Sequence, residues 1–516
     1  MTPSLKLPAR MAQAIAREGL GPRSRSTLMI AVLFITVWQL SVGLSSRRND
    51  DSWRVHASAG VHHERDFTFY LRHLGLYPLV SHARIREDTR AEAERLLREH
   101  PESLRLDIGL TFRSGDRGRV YLYLFDSWLR GDSLHPVLLQ SSAAGFILAL
   151  QAFFFALWWL RRPLLGGMLV ALIGSNPFQI FAVYSQDNVF GWAITSMLFA
   201  GALSLPLLHP FAPRSKVPWA LALTTGLFFA TARTVRSETA SMLVAIAVIY
   251  LVAPALSWRK RVAMLALMFA SFSLAGSYYS RLFTRQVETV NLLVAQHGGT
   301  PYLGPVEPYH EFWHPVWCGL GDFDTRYGHQ WNDTAAYTAA FGAMRLRSDL
   351  PRGLTSTDWL QRISYDGDGV YPLYFFEAPG YHAAIRDVTL AHIREAPGWY
   401  FTILAKRTQR ILTDTTPATL AWANKRIALD SAWLGALWVA AFAWAIARRR
   451  RLDAMLLLLS TPLSLVPLVI YSGGGTTHYG CAHLFAVGVL SYRALLTLVR
   501  AGDATALLRT ANAPSP

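Results

Sequence analysis

Residues 28–45 read LMIAVLFITVWQLSVGLS, eighteen positions with a single amide, Gln39, and no charge. About 20 apolar residues in a helix cross ~30 Å of hydrocarbon, so this stretch is close to one full span. In lipid the backbone has to satisfy its own hydrogen bonds, which makes such a run helical. It is too long for a signal-peptide core and lacks an Ala-x-Ala-type exit, so it reads as a retained span. Similar runs follow at 137–160, 164–184, 189–208, 218–232, 240–256, 262–279, 432–447, 454–471 and 482–499 of the 516 residues. The expected fold is an all-α polytopic membrane protein with about ten transmembrane helices and two large outer loop regions. Hydrophobic residues make up 52% and charged residues 16%, with a mean hydropathy of +0.22, which excludes a disordered chain.

Charge sets the orientation. With a cytoplasmic amino terminus, the inner segments are 1–27, 161–163, 209–217, 257–261, 448–453 and the tail from Arg500. Together they hold 18 Lys and Arg against three acids, Glu18, Asp453 and Asp503. The outer segments hold 31 basic and 31 acidic residues, so nearly all of the formal +16 lies inside, with Arg493 in the tenth run snorkelling inward. Both termini are then cytoplasmic. Charge scattered over six short loops gives no phosphate-neutralising surface, and nucleic acid is excluded as a partner.

The expected organisation is a cytoplasmic tail (1–27), a membrane module of seven helices (28–279) carrying the first outer loop (46–136), and an outer region (280–431). Three C-terminal spans (432–499) and a solvated tail (500–516) complete it. Within the outer parts, 397–415 (PGWYFTILAKRTQRILTDT) reads as an amphipathic helix lying on the interface, and 90–99 as a short exposed helix.

Ionisable groups at the ends of spans are costly near lipid and usually functional. Asn49-Asp50-Asp51-Ser52-Trp53 follows the first span; adjacent carboxylates there raise one another's pKa and suit a general base, or they form a solvated turn. Asp187 sits in the short link between the third and fourth spans, where it is a candidate site acid or an N-cap. In Arg233-Thr234-Val235-Arg236-Ser237-Glu238, Arg236 either pairs with Glu238 or presents its guanidinium to a phosphate. Gly473-Gly474-Gly475-Thr476-Thr477-His478-Tyr479 joins the last two spans; its glycines permit close backbone approach and His478 can donate to an anion.

Four outer hairpins bearing Asp, Asp, Arg/Glu and Gly/His resemble the GT-C superfamily of polytopic glycosyltransferases, which includes protein O-mannosyltransferases and aminoarabinose transferases. The resemblance covers the layout of roughly the first 260 residues. It matches Asp50 or Asp51 to the family's first-loop acid, Asp187 to its second-loop acid, and Arg236-Ser237-Glu238 to an Arg-x-Glu element. It implies an inner-membrane enzyme of bacteria, with its site facing the periplasm. That enzyme transfers a sugar from a polyprenyl-phosphate donor to a glycan, lipid or protein acceptor. Asp50 or Asp51 would be the base, Asp187 would orient the acceptor or assist the base, and Arg233, Arg236 and His478 would hold the donor phosphate. Asp66, in Arg65-Asp66-Phe67-Thr68-Phe69-Tyr70, also fits an acidic motif and competes for the base role.

The late outer region is dense in polar and aromatic residues, among them His314, Trp317, Asp322, Asp324 and Trp331, a composition suited to an acceptor-binding lid or to a small subdomain's own core. Glu238, Asp66, His314, Trp317, Asp322 and Tyr479 are the supporting or acceptor-binding candidates. His310 and His314 with Asp322 or Asp324 have some metal-ligand character, but no tight quartet is visible; no metal site is assigned, and a divalent cation is left open as a cofactor. Asp366 to Glu377 lacks the glycine and middle ligand of an EF-hand loop. Cys318 and Cys481 read as free thiols. The competing functions are an O-antigen polymerase or ligase, with Arg345, Arg347 and Arg352 in the second large loop, and a transporter, which the uncharged spans disfavour.

Overall fold

The computed structural model describes residues 32–33, 64–81, 83–106, 116–135, 139–176, 179–180, 190–212, 215–254, 256–299, 312–346, 381–415, 419–422, 425–428, 430–470 and 476–511. All but two residues of the first expected span, together with Asp50, Asp51 and Asp187, lie outside the described residues. So do His310 and the 366–377 loop.

The described chain is dominated by helices. The first 60 or so described positions give α1 (64–74), β1 (Leu79–Ser81), α2 (Arg90–Glu99), β2 (Leu104–Leu106) and α3 (Arg119–Arg130). Next come α4 (Leu139–Trp159), α5 (Pro163–Ser175), α6 (Phe190–Ser204), α7 (Val217–Val235), α8 (Met242–Val252) and α9 (Trp258–Gln296). The rest are α10 (Trp313–Gly319), α11 (Asp333–Leu346), α12 (Tyr381–Glu395), α13 (Pro397–Thr413), the β3–β4 hairpin (Thr419–Trp422, Lys425–Ala428), α14 (Leu434–Ala447), α15 (Arg451–Val469) and α16 (Thr476–Ala511).

Among the described residues, three helical stretches are long and apolar enough to cross a membrane: Ser141–Trp159, Trp258–Gln296 and Gly480–Leu498. Pro163–Ser175, Trp192–Leu208, Ser237–Val252 and Leu434–Ala447 are shorter apolar helices of the same bundle. Their inward faces form one core running from Phe146 and Phe153 through Ile246 and Met268 to Leu457 and Phe485. Their outward faces expose Leu148, Phe155, Val244, Leu274 and Leu498, a belt of large apolar side chains of the kind that marks a membrane contact. On α9, exposed Trp258 and Tyr278 are separated by about 30 Å of helix, the thickness of a hydrocarbon slab, and such aromatic pairs favour its two edges.

Local chemistry fixes the ends of these helices. Pro163 and Pro218 sit in the first turns of α5 and α7, where a missing N–H costs nothing. Gly131, at φ +74°, closes α3 in the left-handed conformation. α7 and α9 lie close along their length because Gly226 is bare: a Cβ there would strike Met268 and Ser271.

At one end of the bundle, Arg162, Leu208, Pro254, Arg450 and Arg493 line a shared cavity of about 350 Å³. Arg493 makes a two-pronged pair with fully buried Asp453, both contacts at 2.7 Å. At the opposite end sit two cap subdomains. In the first, α1, the β1–β2 pair, α2 and α3 pack Phe67, Tyr70, Leu79 and Leu96 against Phe283, Val287, Val290 and Val294 of α9. In the second, α10, α11 and α12 enclose Trp317, Tyr337, Phe341 and Ile385, and Leu320 packs on Trp399 and Ile403 of α13.

One sequence expectation is revised. The helix that was to stop at 279 runs on to Gln296, because its 280–296 face carries valines at helical spacing that the first cap covers. The α16 backbone continues as helix through Arg500 to Ala511. Two small two-stranded antiparallel pairs, β1–β2 and β3–β4, sit within this otherwise helical chain, which is all-α as expected. The helices at 90–99 and 397–413 occur where they were expected.

Candidate functional site

The charged cluster at the cap end is built where α7 stops. Arg236 leaves the helix with extended backbone (φ −151°, ψ 112°), and a 3-10 turn, Ser237–Ser241, leads into α8. Thr239 Oγ1 donates to the Arg236 carbonyl at 2.8 Å and holds the turn closed. One and a half turns below, Thr231 meets Tyr279 at 2.8 Å, level with the aromatic edge of the apolar belt. Arg236 therefore sits just beyond that edge.

The turn that starts α3 comes down onto this point. Gly118 N–H donates to the Thr234 carbonyl at 2.7 Å, an approach that any side chain at 118 would block. It delivers Asp116, 3% exposed, to Arg236. The guanidinium lies 3.5 Å from Asp116 Oδ2 and 3.1 Å from Glu238 Oε2, and Asp116 Oδ1 accepts from Ser237 N–H at 3.4 Å. Arg117 is buried beside them with its guanidinium 5.8 Å from the Phe283 ring, and Arg119 donates to Tyr123 at 2.9 Å. Burial alone would lower the pKa of Arg119, but Tyr123, Glu64 and Asp116 around it turn the net shift upward and keep it charged. Three arginines and three acids thus meet at the bundle's edge, where desolvation makes every unpaired charge expensive. Arg233, on the last turn of α7, is exposed next to them.

Of the sequence candidates, Arg236 and Glu238 are brought together, and Asp116 joins them. Asp116, Arg117 and Arg119 were missed, although the dense Asp-Arg-Gly-Arg run at the start of α3 was a usable signal. Asp66 is not in this cluster: it is buried, pairs with Arg65 at 2.9 Å and accepts the Ser81 N–H at 3.0 Å, which ties α1 to β1. His478 and Tyr479 lie on the first turn of α16, and their side chains fall outside the described set.

The second cap holds the other candidates. Trp317 is fully buried in its core and packs against His329 at a tilt of 49°, with ring centres 4.7 Å apart. His329 Nδ1 faces the Trp317 carbonyl at 2.8 Å, and its Nε2 faces His392 Nδ1 at 3.0 Å. Burial pushes His329 down to about 4, with the His392 charge adding to this while the Trp317 carbonyl and Asp324 oppose it. Asp322 pairs with Arg407 at 3.0 Å. His314 meets Tyr381 through Nδ1 at 2.5 Å and Asp333 through Nε2 at 3.0 Å. These residues therefore build the subdomain's interior. Burial, and secondarily the Asp333 charge, pushes the Cys318 thiol up to about 12, and both cysteines are free and buried.

No family model, curated protein or solved structure matches the chain.

Proposed function

We infer that the chain is a multi-pass inner-membrane glycosyltransferase of ten spans, with its cap subdomains on the periplasmic side and both termini in the cytoplasm. It moves a sugar from a polyprenyl-phosphate donor to a glycan, lipid or protein acceptor. The observation that carries this reading is the Arg236–Asp116–Glu238 cluster, poised one and a half turns beyond the aromatic edge. A lipid-linked phosphate lies at that depth, and an arginine held by carboxylates on one side stays ionised and aimed. The arginine-lined cavity at the far end agrees with a cytoplasmic surface there.

The reaction is one displacement. A first-loop carboxylate, Asp50 or Asp51, takes the proton of the acceptor hydroxyl. The hydroxyl oxygen bonds to the anomeric carbon while the bond from that carbon to the phosphate oxygen breaks, so the configuration inverts. The leaving polyprenyl phosphate gains negative charge, which Arg236 stabilises together with Arg233 and His478. Asp187 orients the acceptor. Asp116 and Glu238 fix the guanidinium before substrate arrives, so little reorganisation accompanies the step.

Membranes carrying each variant and supplied with labelled polyprenyl-phosphate sugar test this. Arg236→Ala is expected to lower transfer by about 10²–10³-fold, the cost of removing one charge-stabilising donor. Asp50→Asn or Asp51→Asn should abolish it. Full transfer in both aspartate variants, or in Arg236→Ala, sinks the reading.

A further inference from the structure

His314, Cys318 and Asp333 each turn one ligand atom toward a common point, with all three atoms within 4.8 Å of one another. His314 and Cys318 are one helical turn apart on α10 and so share a face, and Asp333 opens α11 across from them. The first two are 1% and 2% exposed, whereas the Asp333 side chain is 50% exposed. Asn332 caps α11 through its side-chain oxygen, 2.8 Å from Thr334 N, which fixes where Asp333 starts.

We propose that His314 Nε2, Cys318 Sγ and an Asp333 carboxylate oxygen form a binding site for a zinc-class divalent ion, which fastens α10 to α11 in the second cap. This site is separate from the sugar-transfer chemistry and does not depend on it.

Four observations carry the proposal. The donor set is one nitrogen, one sulfur and one carboxylate oxygen, the combination that selects zinc or cobalt over magnesium and calcium, which take oxygen ligands. The charges also balance: a dication with one thiolate and one carboxylate is neutral, so a nearly dry site strands no net charge. Tyr381 supplies the outer contact that metal-bound imidazoles need, since its hydroxyl lies 2.5 Å from Nδ1 and can accept that nitrogen's proton as a hydrogen bond. Finally, three protein ligands with a half-exposed carboxylate leave a fourth position open to water. On binding, the sulfur–metal bond replaces the S–H bond and one proton passes to solvent. The imidazole shifts its proton from Nε2 to Nδ1 and remains neutral.

The test uses the full chain in detergent, with any affinity tag removed, dialysed against metal-free buffer and then offered zinc or cobalt alone. About one zinc per chain is expected after dialysis, by analogy with other three-ligand sites. Cobalt should give a thiolate-to-metal absorption band in the near ultraviolet. That band should vanish in Cys318→Ser and survive in Cys481→Ser. Tyr381→Phe removes only the outer hydroxyl and should weaken zinc about 10–100-fold in competition with a chelating dye. Asp333→Asn changes a half-exposed group, so it should retain the fold yet lose most of the zinc; it decides the matter if Cys318→Ser does not fold. Less than about a tenth of an equivalent of zinc in the parent protein, with no cobalt–thiolate band, overturns the site. A cobalt band unchanged in Cys318→Ser, or zinc content unchanged in folded Asp333→Asn, also overturns it.

Discussion

Arg407 lies on α13 with no solvent exposure, yet every arm of its guanidinium is used. Nη2 donates to the Gly319 carbonyl at 2.6 Å, and Nη1 donates to Leu468 and Val469 at 3.2 and 2.8 Å. These carbonyls end α10 and α15, so one side chain caps two helices at their electron-rich ends while Asp322 balances its charge. Replacing Arg407 by Met strands Asp322 and is expected to cost about 3–5 kcal/mol, as for other broken buried pairs. Adding Asp322→Asn should recover part of that loss, a coupling that denaturation in a double-mutant cycle will read. The His329–His392 pair acts differently. An unfolded chain binds protons at His329 from pH ~6.5 downward, whereas the folded one resists until about 4. The unfolded state therefore holds more protons inside that window, and stability falls as pH falls through it. At pH 5 the loss amounts to about 2 kcal/mol from this ring. Melting of the purified protein should show a second-cap transition that moves down between pH 7 and pH 5, and His329→Gln should flatten that slope.

The helices differ in how openly their sequences declared them. α4, α7, α14 and α15 are apolar on nearly all sides, and hydropathy alone locates such elements within a few residues. The outward half of α9 was hidden because Arg281, Arg285 and Glu288 break its apolar run, and its valine stripe has meaning only once the first cap is laid on it. Asp116 was hidden for a related reason: its partner Arg236 is remote in sequence, and only the Gly118–Thr234 contact brings the two turns together. Asp66, by contrast, looked catalytic from its neighbours alone, and its ties to Arg65 and Ser81 emerge only from the pairing of α1 with β1. The α7–α9 seam offers a direct check. Gly226→Val would push a branched side chain into Met268 and Ser271 and should cost about 1–3 kcal/mol, seen as a lower melting midpoint in detergent. The same change at Gly276, where a Cβ meets nothing within 4 Å, should be close to neutral.

At the scale of the molecule, α9 joins bundle and cap as one unbroken rod of about 58 Å, roughly half of it beyond the apolar slab. A helix has phase as well as length: each inserted residue turns everything beyond it by about 100° and lifts it by 1.5 Å. One alanine added after Ser280 should swing the first cap away from Arg236, break the Asp116 contact and, under the proposed function, stop transfer, while the cap's own fold on the valine stripe persists. Limited proteolysis and the transfer assay together will separate those outcomes. The rod also acts as a strut. Its unbroken backbone ties the first cap to the bundle along that flank. Under the proposed function, a membrane-borne donor would reach Arg236 on a flank other than the one that α9 closes.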